Sequence, residues 1–91
     1  MRPAVVLAEA GLDDLNVCQI TSNPYGDTRS ITLAVQDFSH GSLRVVSYAR
    51  PGKLFTANQS LIAETAGQLN QLAINSLLGA VIHLLQENLV K

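Results

Sequence analysis

The hydrophobic pattern of this chain changes period once, and that change constrains the fold more than any other feature. After Gly67, the residues Leu72, Ile74, Leu77, Leu78, Val81, Ile82, Leu84, Leu85 and Leu89 recur at helical spacing, with Gln71, Asn75, Gln86 and Glu87 outside the stripe. The spacing predicts one amphipathic helix over residues 71–89. Asn70 is its expected N-cap, because a side-chain oxygen there can accept from an N–H of the first turn that lacks an intrahelical partner. The stripe is broader than a small β-structure needs, so the helix is expected to pack against that structure and a second subunit. Gly79 would cost roughly 1 kcal/mol in a helix interior and is explained in the same terms, by close approach of another backbone.

Before Gly67 the pattern is short and extended. Residues 4–8 (Ala-Val-Val-Leu-Ala) read as a buried strand, ended by Gly11 and the paired Asp13 and Asp14. Residues 17–21 form a second strand that stops at Ser22-Asn23-Pro24-Tyr25-Gly26-Asp27, a dense cluster of turn formers. Further extended segments are expected at 31–34 or 31–35, 43–49, 53–57 and 61–65, with turns at His40-Gly41 and at Arg50-Pro51-Gly52. About six short strands followed by one helix make a mainly β chain with a C-terminal helix, in a small antiparallel barrel or sandwich. Ninety-one residues leave room for one core, so 1–91 is a single domain.

Composition narrows the environment. With 47% hydrophobic and only 14% charged residues, and a mean hydropathy of +0.22, so small a chain is expected to hide apolar surface in a partner, most simply as a homodimer. The aromatic share is 4% with no Trp, and the net charge is −1, so extensive aromatic platforms and a global basic field are both missing. Arg2, Arg29, Arg44, Arg50 and Lys53 are balanced by Glu9, Asp13, Asp14, Asp27 and Asp37. Any basic patch must therefore be made by folding. A single cysteine excludes an intrachain disulfide and fits a reducing cytoplasm. No signal-like start or uninterrupted run of about 18 apolar residues occurs, so no membrane association is expected.

The isolated reactive side chains have plain readings. Cys18, on an apolar strand, is a core residue. His40 belongs to a Ser-His-Gly turn with no nucleophile-elbow motif nearby. His83 is followed by Glu87 one helical turn on, which is too few ligands for a metal site. The helix carries no Lys or Arg on its polar face before Lys91, unlike a membrane-surface helix.

Three ordered segments carry a resemblance: Arg2-Pro3-Ala4-Val5-Val6-Leu7, Val17-Cys18-Gln19-Ile20-Thr21-Ser22, and Ser47-Tyr48-Ala49-Arg50-Pro51-Gly52-Lys53-Leu54-Phe55. Together with Leu61-Ile62, Ala66-Gly67-Gln68-Leu69 and the terminal helix, they resemble the MazF/PemK family of toxins over nearly the whole chain. The resemblance implies an SH3-like β-barrel of the MazF/PemK/CcdB type. It implies a homodimeric, sequence-selective, metal-independent mRNA interferase with no cofactor, neutralised by a cognate antitoxin peptide. The family's catalytic Arg and Thr fall on Arg2 and Thr21. Ser22 falls near the scissile phosphate, and Arg50 and Lys53 fall among the RNA-binding residues.

The chemistry that the resemblance implies suits these residue types. Without a metal, the ribose 2′-hydroxyl is the nucleophile and is already held beside the phosphorus. The protein must neutralise the phosphorane and help the 5′-oxygen leave. The planar donor fork of Arg2 suits phosphate oxygens, and the hydroxyl of Thr21 adds one hydrogen bond. A permanently protonated guanidinium makes transition-state electrostatics its main role. An unpaired strand can be splayed for in-line attack while its base edges are read, so single-stranded RNA is the implied substrate.

Typical members of the family place a strand-loop-strand hairpin before the Arg-Pro pair, where this chain has only Met1. The resemblance therefore implies a barrel truncated at the N-terminus. Its exposed edge would be covered by oligomerisation, strand exchange or an altered barrel. Two further readings follow from it: a catalytically weakened dimeric module that binds an antitoxin, or a gyrase-poison-type toxin on the same fold. The Arg-Pro and Ile-Thr segments favour the nuclease.

Overall fold

The computed structural model describes residues 3–90. The elements in chain order are β1 (Ala4–Gly11), β2 (Asp14–Thr21), β3 (Ile31–Leu33), a 3-10 turn (Val35–Asp37), β4 (Phe38–Gly41), β5 (Ser47–Asn58), a second 3-10 turn (Gln59–Leu61), β6 (Gly67–Leu69) and α1 (Gln71–Glu87). Four strands form one antiparallel sheet in the order β1-β2-β5-β3, and β4 pairs with β6. The larger sheet curls into a half-barrel.

β1 and β2 are joined across Gly11↔Asp14, leaving Leu12 and Asp13 as a two-residue loop. Both loop residues have positive φ, +52° and +64°, the type I′ geometry whose twist matches that of the flanking strands. Among the described residues, β1 is paired on its β2 side alone.

The core lies between the concave side of the sheet and α1. Val5, Cys18, Ile20, Leu33, Ala49, Leu77 and Val81 are buried together, with Ile31, Phe38, Leu43 and Leu69 packed around them. The helix contributes its buried row one turn at a time through Ala73, Leu77 and Val81 and packs on β5 and β3. Its N-cap is Asn70, whose Oδ1 accepts from the Ala73 N–H at 2.9 Å and whose amide donates to the Gln36 carbonyl. Most of the wide stripe stays uncovered: Leu72, Ile82, Leu85 and Leu89 are each more than half exposed. A Cβ on Gly79 would meet nothing within 4 Å, so no other described part of this chain approaches it.

Five expectations are corrected. Arg50-Pro51-Gly52 is not a turn between two strands but the middle of the 12-residue β5. The segment expected at 43–49 is extended only from Ser47, because Val45 and Val46 face solvent with no strand beside them. Residues 61–65 form no strand. There the chain makes a 3-10 turn, capped by Asn58 through the Ser60 N–H, and then runs exposed and irregular. His40 and Gly41 end β4 instead of making a turn. At Gly41, φ is +69° and an added Cβ would overlap the Ala66 carbonyl oxygen, so the β4–β6 approach requires glycine there. The helix ends at Glu87, two residues short of its expected limit.

Candidate functional site

The site begins with an interruption in the β2–β5 ladder. Cys18 pairs with Leu54 and Ile20 with Ala49, so Gln19 alone faces Arg50, Pro51, Gly52 and Lys53. Such a bulge suits proline, which has no N–H to give a ladder. Pro51 is fully buried in it. The Cys18 thiol donates to the displaced Arg50 carbonyl at 3.1 Å. Burial pushes that thiol above its ordinary pKa, which keeps it protonated and suits it to packing.

The bulge carries Arg50 and Lys53 into a cleft of about 330 Å³ whose other walls are Tyr25, Gly26, Asp27, Arg29, Gly52 and Leu84. Among the described residues, three cations line it against one carboxylate, in a chain of net charge −1. Folding makes the basic patch that composition does not show. A neighbouring apolar cleft of about 280 Å³ is lined by Pro3, Gln19, Lys53, Leu54 and Phe55. Lys53 lines both clefts.

The β2–β3 loop is held in place by its own polar residues. The Thr21 hydroxyl accepts from the Asn23 N–H and donates to the Asn23 carbonyl. The Asn23 Oδ1 accepts from the Tyr25 N–H, and the Asp27 N–H donates to the Pro24 carbonyl. Tyr25 and Gly26 have φ of +52° and +80°, a second type I′ turn, here with tyrosine where asparagine or glycine is favoured. Asp27 then ties the loop to the bulge: its Oδ1 accepts from the Arg29 N–H and its Oδ2 from Arg50 Nε, each at 3.0 Å. The hydrogen bond from Arg50 holds the Asp27 carboxyl below its ordinary pKa.

Of the residues singled out from sequence, Arg50 and Lys53 meet in the cleft. Thr21 and Ser22 lie where β2 enters the loop that walls the cleft, and neither lines it. Thr21 is paired with Tyr48, and Tyr48 with Thr32, so three hydroxyl-bearing residues stand in one row across β2, β5 and β3. Arg2 lies outside the described residues. Pro3, its neighbour, accepts from the Ile20 N–H at 3.2 Å, one residue before Thr21. Sequence reasoning missed Tyr25, Asp27 and Arg29. Tyr25 and Asp27 stand in the turn cluster and Arg29 two residues beyond it, where the residue types signal a turn and not a cleft.

No group of three or more metal-ligating side chains occurs among the described residues. No helix among them is long and apolar enough to cross a membrane.

No protein-family model matches the sequence, and a comparison with curated proteins finds no match. Solved structures do match. A structure described as an endoribonuclease from a mycobacterial species superposes with a TM-score of 0.75 at 11% identity, over 93% of this chain and 80% of that one. The MazE-MazF crystal structure from Deinococcus radiodurans gives 0.73 at 21% identity, over 96% of this chain and 87% of that one. With its curled half-barrel sheet and single C-terminal helix, the chain has a MazF-like fold.

Proposed function

We propose that this chain is the toxin of a toxin–antitoxin pair, a metal-independent endoribonuclease that cuts single-stranded mRNA. The observation that carries the proposal is the cleft in which Arg29, Arg50 and Lys53 converge beside the Thr21-Ser22 strand end, on a MazF-like fold. One likeness is to a protein described as an endoribonuclease and another to a MazE-MazF complex. Both support the reading at the level of fold.

In this mechanism the strand's phosphates lie along Arg50 and Lys53, with Ser22 near the scissile group. The 2′-hydroxyl attacks the adjacent phosphorus and the 5′-oxygen of the next nucleotide leaves. The products are a 2′,3′-cyclic phosphate and a 5′-hydroxyl. The proton lost from the 2′-oxygen passes to solvent, and the leaving oxygen gains one. Arg2 neutralises the phosphorane and Thr21 adds a hydrogen bond to it. The uncovered helix face at Leu72, Ile82, Leu85 and Leu89 supports a homodimer. An antitoxin peptide lying over the cleft would add acidic groups to the one that Asp27 gives Arg50.

The test is incubation of single-stranded RNA in EDTA with the parent chain, Arg2→Ala and Thr21→Ala. The parent should cleave and both variants should lose activity by at least about tenfold. No cleavage by the parent, or equal cleavage by all three, would sink the catalytic assignment. A second reading, a weakened dimeric module that binds an antitoxin, is favoured by one observation: the Thr21 hydroxyl is already engaged with Asn23 as both donor and acceptor. It would show antitoxin binding without cleavage.

A further inference from the structure

We propose that Tyr25 is a stacking platform for one unpaired base, and that Arg29 and Lys53 hold the phosphates on either side of it. This rests on the single-stranded RNA reading above and names the part of the nucleotide that the cleft grips. Tyr25 is 81% exposed yet lines the cleft with all three cations. A large aromatic side chain left in water at the rim of a basic cleft is an apolar face without a partner. A nucleotide supplies a flat apolar face and an anionic phosphate in one ligand, which complement the ring and the cations of the rim. The cleft, about 330 Å³, lies in the range of small-ligand sites.

The backbone beneath the ring is fixed. Tyr25 donates its N–H to Asn23 Oδ1, the turn closes from Asp27 to Pro24, and Asp27 is bonded to both Arg29 and Arg50. The ring is thus carried on a loop tied to the bulge that bears Arg50 and Lys53. At φ +52° a tyrosine sits where asparagine would be less strained, so backbone preference does not explain its presence. The turn between β1 and β2 gives the contrast. Leu12 has the same φ and is 96% exposed, but it lines neither of the two clefts.

The chain has no tryptophan, so Tyr25→Trp creates a single fluorescent reporter at the site. The probe is a single-stranded 2′-O-methyl oligonucleotide, which has no free 2′-hydroxyl and is not cleaved, alongside the same strand carrying abasic positions. The base-bearing strand should quench the fluorescence of the introduced indole and the abasic strand should not. Tyr25→Phe should bind as the parent does, and Tyr25→Ala roughly 5- to 150-fold more weakly. Tyr25→Asn should raise the thermal midpoint by relaxing the turn and still weaken binding, a split that a merely structural tyrosine would not produce. Binding undiminished in Tyr25→Ala, or equal quenching by both strands, overturns the stacking role while leaving the RNA reading intact. No binding of either strand by the parent overturns both.

Discussion

Arg50 Nε donates to Asp27 Oδ2 at 3.0 Å, and through this bond the β2–β3 loop and the β5 bulge act as one wall. Only Nε is spent on the pair. The terminal nitrogens of Arg50 have no hydrogen-bond partner among the described residues, so the guanidinium can be oriented by one carboxylate and still offer its fork to a phosphate.

Protonating Asp27 should loosen that wall. Its folded pKa is depressed, chiefly by the Arg50 hydrogen bond. The stability it contributes is therefore fully present above the unfolded value of about 3.9 and lost as pH falls through the lower folded value. Thermal midpoints of the parent and Asp27→Asn, measured from neutral pH downward, should differ at first and converge in acid. A gap that stays constant to the lowest pH would remove Asp27 from this role.

Lys53 should act as a phosphate contact without sequence preference. Lys53→Ala should weaken single-stranded oligonucleotide binding by a similar factor across sequences. It should also reduce the slope of log affinity against log salt by about 0.7, the value for one contact on a single strand. An unchanged slope would place Lys53 outside the path of the strand.

The buried row of α1 should carry the helix's stability. Leu77 is fully buried and Leu78, one residue on, is 36% exposed. Leu77→Ala should cost about 2–5 kcal/mol in urea unfolding, whereas Leu78→Ala should cost below about 1 kcal/mol in a monomer. Equal costs would mean that Leu78 is buried in an assembly.

Two glycines with similar backbones should respond differently. Gly26 and Gly41 both have positive φ, but a Cβ at Gly26 meets open space, while one at Gly41 would overlap a backbone oxygen. Gly26→Ala should cost about 1–2 kcal/mol from backbone strain alone. Gly41→Ala should cost clearly more, because the β4–β6 pair must separate. Thermal unfolding of the two variants decides it.

What could be read in the sequence followed local rules. The helix, its Asn70 cap and the break at Gly11–Asp14 were legible because periodicity, capping and turn chemistry each act within a few residues. The mainly β class with its terminal helix followed from the same signals. The bulge was not legible. Arg50-Pro51-Gly52 has the composition of a turn, and only the pairing of Cys18 with Leu54 and Ile20 with Ala49 shows it to lie inside a strand. The cleft was legible by half for that reason. Arg50 and Lys53 stood out as charges near a motif, but Tyr25, Asp27 and Arg29 reach the cleft through a contact 23 residues apart in sequence.

The buried proline has a consequence for the folding of the sheet. A strand pair can slip along itself wherever each position offers the same donor and acceptor, and Pro51 offers no donor. Sliding β2 along β5 would bring a neighbour of Gln19 opposite that missing N–H and strand its carbonyl in the interior. In the alignment that forms, Gln19 faces the bulge and its carbonyl is met by the Cys18 thiol at 3.8 Å. Pro51 thus serves as an index mark for strand alignment. Because Arg50 and Lys53 flank the same mark, a chain that folds in register has already set its two cations at the mouth of the cleft.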